Sequence, residues 1–369
     1  MSHGNRFLFR NGVVLPAADT PSVAAFLESH PGAYTTTRTH NNGTELLFWE
    51  RHLDRLSNSF KLLLNHNPKL LSKTPGLKLS NRAMMWDSAI RSLVDDSMRK
   101  AMPFVVNERR FGEEMAITAL LSGNSENLDL SEGGFDEGDT SEGLDLYLHV
   151  GRYVLPVFGL RENAARLAVV GRGRDFANAK YSDWVRAFVG GRLRKPLEKL
   201  RPPSVTELLL SNDGECILEG CLTNFFVVCR KEKDQDSNTF GQNELPNLRS
   251  IEIQTAPLSD GVLPGVIRQV IIDICLKIGI PFREVAPSWS KRELWIEAFI
   301  TNSLRILQHV ETIQAPNDWN SFESNTWEEI TWVEKRFEDC PGKITSLLQK
   351  AIMDEAAVEA FSVTSFHQR

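Results

Sequence analysis

The chain has few cysteines, no long apolar run and no excess of positive charge. Its five cysteines (216, 221, 229, 275 and 340) form no CxxC and no Cys/His pairing at zinc spacing. Their odd number and scatter fit reduced thiols better than a disulfide framework. No apolar stretch approaches the roughly 20 residues that a membrane span needs, so no membrane partner is expected. Lys and Arg total 42 against 48 Asp and Glu, a formal net charge of -6. That balance argues against a nucleic-acid surface, which would want a basic footprint. Residues 1–14 pass almost at once into strand-like alternation, without the apolar core of a signal peptide or the Arg/Ser-rich length of a transit peptide. A cytoplasmic protein is the expectation. Several motifs are missing too: there is no GxxxxGK[ST], HExxH or GxSxG, and the eight histidines make no pair at ligand spacing. Gly171–Arg172–Gly173 follows a strand, but Phe176 stands where a dinucleotide fingerprint wants its third glycine.

What remains is an ordinary globular composition, 41% hydrophobic and 24% charged, over 369 residues, enough for two domains. Residues 6–14 read as a hairpin around Asn11–Gly12, and a helix over 22–29 is closed by Pro31–Gly32. Two strands flank Asn41–Asn42–Gly43. Trp49, Leu53, Leu56, Phe60, Leu63 and Leu64 then recur at helical spacing. A second helix is expected over 82–102, and strands over 115–121 and 144–153. Between them, residues 126–145 carry eight acidic side chains and no Lys or Arg, which predicts a solvated, disordered loop. A composition break at 154–162 suggests an interdomain linker.

Strand and helix signals alternate beyond it. Strands are expected over 165–170, 207–210, 216–219, 223–229, 251–256, 280–285 and 297–301, with a helix from near Lys180 and another over 264–278. Pro264 suits the first turn of that helix and Gly279 its end. Ser290 and Glu293 have capping-box spacing. Residues 231–248 read as a surface insertion, and 315–369 as a helical extension. The domains predicted are therefore 1–153 (small), 163–314 (large) and the extension, in an α/β architecture with a mixed sheet in the large domain.

Three stretches bear on chemistry. Leu218–Glu219–Gly220 puts a carboxylate at a strand end beside a glycine that lets another backbone or ring approach. Leu263–Pro264–Gly265–Val266–Ile267 opens a helix whose first N–H groups suit an anion. Lys180, in FANAKYSDWVRAF, stands where a polar turn gives way to a helix. Taken singly each is ordinary: a strand-end glutamate faces water, every helix starts somewhere, and most lysines are solvated charges. Together a carboxylate, an anion cradle and a lysine are what pyridoxal phosphate needs from a protein. Ser303 could add a hydroxyl to the phosphate, and Arg55 a charge-assisted contact.

The chain resembles the class IV pyridoxal-phosphate enzymes, the family of branched-chain aminotransferases, D-amino-acid aminotransferases and aminodeoxychorismate lyases. GAYTTTRTHNNG with ERHLDRLSNS, LEGCLTNFFVV, PLSDGVLPGVIRQVIIDICLKIGI and EAFITNSLRILQHV carry the resemblance over about residues 30–315. It implies a two-domain fold and a homodimer acting on amino acid and oxo acid substrates. It also implies that Lys180 is the Schiff-base lysine and Glu219 the partner of the pyridine nitrogen. Arg55, the backbone at Val266 and Ile267, and Ser303 would hold the phosphate; Tyr34, with Arg38 on the same strand face, would line the substrate pocket.

The sequence departs from the family pattern at Ile267, where threonine is usual, and at Asp183, where asparagine is typical. Thr301–Asn302–Ser303–Leu304–Arg305 looks more like the lyase loop. Gly190–Gly191 looks like extra length that costs a helix roughly 2 kcal/mol against alanine. Three activities stay open: an aminotransferase, a lyase releasing pyruvate, and a non-catalytic binding protein on the same fold.

Overall fold

The computed structural model describes residues 6–16, 20–71, 83–123, 143–189, 197, 199–231, 248–320 and 326–366. Most of the acidic stretch 126–145, most of 231–248 and the Gly190–Gly191 pair lie outside the described residues. The chain divides into two compact units. The first comprises 1–155, 179–194 and 358–369, and the second 156–178 and 195–357. The first long segment of the first unit ends at Leu155. The segment carrying Lys180 returns to the first unit, and so does the C-terminal end.

The first unit is built on one antiparallel sheet. The hairpin β1 (Arg6–Arg10) and β2 (Val13–Val14) turns at Asn11–Gly12, both at positive φ, as a two-residue hairpin requires. Helix α1 (Val23–Ser29) is capped by the Ser22 hydroxyl. Strands β3 (Ala33–His40) and β4 (Glu45–Leu46) lead into α2 (Trp49–His66). Helix α3 (Ala83–Glu108) runs six residues past the expected end at 102. Strands β5 (Glu114–Gly123) and β6 (Leu144–Tyr153) then pair in register along their whole length. The sheet order is β16-β4-β3-β5-β6-β1-β2, where β16 (Phe361–Ser362) comes from the C-terminal end of the chain.

The apolar stripe of α2 packs with α3 and with Ala33, Met115, Ile117, Ala119, Leu121, Leu146 and Leu148 on one face of the sheet. The opposite face carries Leu8, Tyr34 and Leu120, packed with Phe26 of α1 and Val185 of α4 (Ser182–Val189). Successive side chains of a strand alternate faces. The polar residues of β3 are thereby divided, with Tyr34, Thr36 and Arg38 on one side and Thr35, Thr37 and Thr39 on the other.

The second unit is a sheet closed on itself. Strands β7 (Ala165–Val169), β8 (Glu207–Ser211), β9 (Ile217–Gly220), β10 (Asn224–Arg230), β11 (Ile251–Thr255), β12 (Phe282–Glu284), β13 (Trp295–Asn302), β14 (Ile306–Pro316) and β15 (Trp332–Arg336) contribute. The path β10-β13-β14-β7-β8-β9 returns to β10 through a β9–β10 pairing, while β11 and β12 extend from β10 and β15 from β14. Closure leaves the ring without free edges. Leu167, Val169, Leu209, Ile217, Phe225, Val227, Ile300, Val310 and Ile313 fill the interior.

Helix α5 (Val266–Ile278) and helix α6 (Lys343–Val358) complete the unit. The buried Glu297 carboxylate fixes the start of α6 by accepting from the Ile344 N–H (3.0 Å), the Thr345 N–H (2.7 Å) and the Thr345 hydroxyl (2.7 Å). The segment expected as a helical extension also contains two strands: β15 pairs with β14 here, and β16 with β4 in the first unit.

Two local expectations are corrected. Helix α5 begins at Val266 with Gly265 as its cap, so Pro264 precedes the helix rather than opening it. Ser290 and Glu293 form no capping box. The segment Trp289–Leu294 is a 3-10 helix, and the Glu215 carboxylate accepts from the Ser290 N–H (3.1 Å) and hydroxyl (2.6 Å) instead. A carboxylate from a distant loop has taken the place of the local one.

Candidate active site

The sequence-nominated residues fall into two groups, one in each unit. In the first unit Lys180 is held by its backbone. Its N–H donates to Ser59 Oγ at 3.0 Å, its carbonyl accepts from the Tyr34 N–H at 2.9 Å, and Tyr181 bridges to Ala33. Its ammonium lies 4.6 Å from the centre of the Tyr34 ring, in the range of an attractive cation–π contact. Lys180 and Tyr34 thus come together in the first unit. Arg38 follows on the same face of β3. It is buried, with a hydrogen bond to the Thr39 carbonyl (3.0 Å), and burial lowers its pKa against the opposing pull of Tyr153 and Glu114.

Arg55 projects from α2 toward the other side of β3. Its Nη2 donates to Thr35 Oγ1 at 2.8 Å and lies 3.3 Å from His52 Nδ1, while Thr35 Oγ1 and His52 Nδ1 are 2.9 Å apart. Both partners are neutral groups, and Arg55 Nε is buried with no partner among the described residues. Burial pushes the guanidinium down to about 10, with Tyr34 raising it in part. A buried cation whose hydrogen bonds end on neutral atoms is costly, and an anion would relieve that cost.

His52 was not singled out by its sequence. Burial first, then the charges of Arg55 and Lys180, hold it well below the ordinary histidine value of 6.5. The neutral imidazole is what lets Nδ1 face an arginine. The consequence for pH has a definite sign. Between 6.5 and the lower native value the unfolded chain binds a proton that the native state refuses. Stability therefore falls as pH drops below 6.5, by up to about 1.4 kcal/mol per pH unit. In His52→Gln that component disappears; urea midpoints at pH 7.5, 6.5 and 5.5 measure it, and parallel pH dependence in the two proteins would sink the assignment.

In the second unit Glu219 is buried and fully engaged. A bulge decides where it points: Leu210 pairs with Glu219 and Ser211 with Ile217, which leaves Leu218 as the extra residue. Ile217 thus enters the barrel interior while Glu219 turns to the other side. Oε1 accepts from Arg174 Nε (2.8 Å) and Nη2 (2.7 Å); Oε2 accepts from the Leu263 N–H (3.0 Å) and Asn224 Nδ2 (3.4 Å). Arg174 and Asn224 are the partners that sequence reasoning missed. Arg174 thus holds Oε1, and the contacts to Oε2 are the longer ones.

The start of α5 follows from the same place. No side chain caps Gly265, and the first N–H groups of the helix, at Val266 and Ile267, point out of it. Ser303 sits in the β13–β14 turn, where Asn302 Oδ1 accepts from the Leu304 (3.1 Å) and Arg305 (2.8 Å) N–H groups. Nearby, Thr301 Oγ1 is buried with no partner among the described residues. Arg305 reaches back to Glu207 Oε2 (3.0 Å), and Glu207 Oε1 accepts from the Leu222 N–H (3.1 Å) and the Thr223 hydroxyl (2.7 Å). The turn and the loop after Glu219 are braced together. In the first unit the arginine with neutral partners suits an anion such as a phosphate; in the second the uncapped helix start suits one too, and the paired carboxylate suits a protonated ring nitrogen. The residues present fit pyridoxal phosphate.

Other chemistry finds less support. All five cysteines are free thiols, and burial raises Cys221, Cys229 and Cys275 well above the ordinary thiol value. Among the described residues no cluster of three His, Cys, Asp or Glu side chains could hold a metal ion, and no helix is long and apolar enough to cross a membrane.

Residues 198–313 match the family model described as amino-transferase class IV. No curated protein matches the chain by sequence. Among solved structures, a branched-chain aminotransferase from the archaeon Thermoproteus uzoniensis, determined with norvaline, is similar at 18% identity. The match covers 97% of this chain and 99% of that one, with a TM-score of 0.57. The branched-chain amino acid aminotransferase of Escherichia coli is similar at 15% identity over 94% and 93% of the two chains, TM-score 0.55. A hypothetical aminotransferase from Mycobacterium tuberculosis, in its PLP-bound form, gives 15% identity over 95% and 99%, TM-score 0.56. At these identities the likeness is one of fold.

Proposed function

Starting from the match of residues 198–313 to the class IV aminotransferase family model, we propose that the chain is a pyridoxal-phosphate-dependent aminotransferase. It would move an amino group between an amino acid and a 2-oxo acid. The observation that carries the reading is the first-unit cluster, a buried guanidinium with only neutral partners and a lysine held by two backbone hydrogen bonds against Tyr34.

When bound, pyridoxal phosphate supplies an electron sink for the bond at the substrate Cα. The rest falls to the chain. Lys180 is the covalent anchor, and once displaced its free amine carries the Cα proton. Tyr34 offers that amine an aromatic face instead of water, and Arg38 on the same strand face meets the substrate. Arg55, the Val266 and Ile267 N–H groups and the Ser303 hydroxyl hold the phosphate, with no charge transfer asked of them. Glu219 would accept a ring N–H, and Arg174 holds the carboxylate in place for that task. The resemblance extends the proposal to a cytoplasmic homodimer, which sedimentation of the purified protein checks for the oligomer.

A second reading follows from Ile267 and the Thr301–Arg305 turn, which look like those of the lyases: release of pyruvate from an aminodeoxychorismate-like substrate. The deciding experiment is an absorbance spectrum of the purified yellow protein with a panel of L- and D-amino acids. Loss of the visible band on adding amino acid alone, restored by a 2-oxo acid, is the expected result. Pyruvate formed without an acceptor would transfer the assignment to the lyase. A protein with no visible band, before or after incubation with the cofactor, would leave only a binding function on this fold.

A further inference from the structure

We propose that Asn224 is a positioning residue that sets the separation between the Glu219 carboxylate and the anion-binding start of α5. The inference rests on the functional reading above, and it concerns the second unit alone. Asn224 opens β10 directly opposite Glu219 in the β9–β10 pairing. Its Nδ2 donates to the Leu263 carbonyl at 2.9 Å and to Glu219 Oε2 at 3.4 Å, while the Leu263 N–H donates to the same Oε2 at 3.0 Å. The three residues close a loop of hydrogen bonds, all at buried or half-buried positions.

That loop is joined directly to the helix. After Leu263 comes Pro264, and the Gly265 N–H turns back to the Leu263 carbonyl at 2.8 Å. Gly265 also packs its Cα against Asn224 Oδ1, so closely that a Cβ built there would overlap the amide oxygen. The next two residues supply the outward N–H groups. One short side chain therefore touches both the turn that leads into the helix and the carboxylate. With only two rotatable bonds and contacts at both ends, it has little freedom to let the two drift apart.

A rigid ligand with a ring nitrogen at one end and a phosphate at the other profits from such a brace. When both contacts stand at the right spacing, the second costs little further ordering once the first is made. If the spacing drifts, the ligand keeps one contact and strains the other. Loss of the brace therefore weakens the whole ligand more than either fragment.

The test measures binding to the stripped full-length protein by quenching of tryptophan fluorescence. The probes are pyridoxal 5′-phosphate, pyridoxal without its phosphate, and inorganic phosphate as a competitor. Asn224→Ala is expected to weaken pyridoxal phosphate by on the order of 10- to 100-fold, as loss of a supporting contact around a bound group does. Pyridoxal and inorganic phosphate should each weaken by no more than about threefold, since their separate contacts survive. Gly265→Ala should reproduce this selectivity from the other side, by displacing the amide. The double variant should bind no worse than Asn224→Ala, because the obstruction vanishes with the amide.

Equal losses for phosphate and for pyridoxal phosphate would mean that the helix start has simply collapsed, and would overturn the proposal. Multiplying losses in the double variant would do the same. Should Asn224→Ala not fold, Gly265→Ala against wild type decides by the same contrast. A wild-type protein that takes up no cofactor overturns the functional reading and this inference with it, whereas normal wild-type loading with unselective variants overturns the inference alone.

Discussion

Lys180→Ala leaves a folded protein that borohydride can no longer tag with cofactor, and whose transamination rate falls by on the order of 10³. The fold survives because the lysine is fixed through its main chain. Its N–H donates to Ser59 Oγ and its carbonyl accepts from the Tyr34 N–H, and alanine keeps both contacts. On the proposed reading the cofactor should still bind without a covalent bond, because the substitution leaves the proposed phosphate contacts unchanged. Peptide mapping after reduction gives the measurement. Label at residue 180 in wild type and none in the variant is the expected pair; label on another lysine in both would show that the anchor was misassigned.

The second large effect is on stability as well as on chemistry. Glu219→Ala removes the carboxylate, 2% exposed, that pairs with the Arg174 guanidinium, 7% exposed. Breaking a buried pair from one side costs about 3–5 kcal/mol, a large fraction of an ordinary protein's margin. Glu219→Gln with Arg174→Met removes both charges while keeping the volumes, and should recover most of that loss. It should not recover the chemistry: without the carboxylate the ring nitrogen has no charged partner, and turnover should stay down by about 100-fold or more. Urea unfolding followed by tryptophan fluorescence, set beside turnover of the three proteins, separates the two effects. A double variant as unstable as Glu219→Ala would mean that the pair is not what holds this corner of the sheet.

Much of the local structure was legible because it depends on neighbours in the chain. Asn11–Gly12 and Asn41–Asn42–Gly43 supply the positive φ values their turns need, and no distant residue is required to predict them. The stripe Trp49, Leu53, Leu56, Phe60, Leu63 and Leu64 is buried along α2 as its period implies. The polar residues of the same face, His52, Arg55 and Ser59, are buried too, which a count of apolar positions has no means of showing. Helix α3 ran past its expected end, and the capping box at Ser290 gave way to Glu215, 75 residues earlier in the chain. In the second case a like carboxylate from a distant loop took the Ser290 N–H.

The candidate site divides the same way. Its residue types were readable, since a lysine, a carboxylate, an arginine and a glycine-led helix start each leave a mark in a short stretch of sequence. Their partners were not. Arg174 lies 45 residues from Glu219, and Thr35 lies 20 from Arg55. Alternation along Cys216–Ile217–Leu218–Glu219 could not say which way the glutamate faces, because the bulge at Leu218 reverses the phase. Sequence by itself determined which segments become strands and helices and which side chains carry reactive groups, because backbone propensity and side-chain chemistry are local. Only the tertiary structure decided that Arg55 is left with neutral partners, that Glu219 is paired, and that Lys180 returns to the first unit. Burial and pairing are set by whatever the rest of the chain brings alongside.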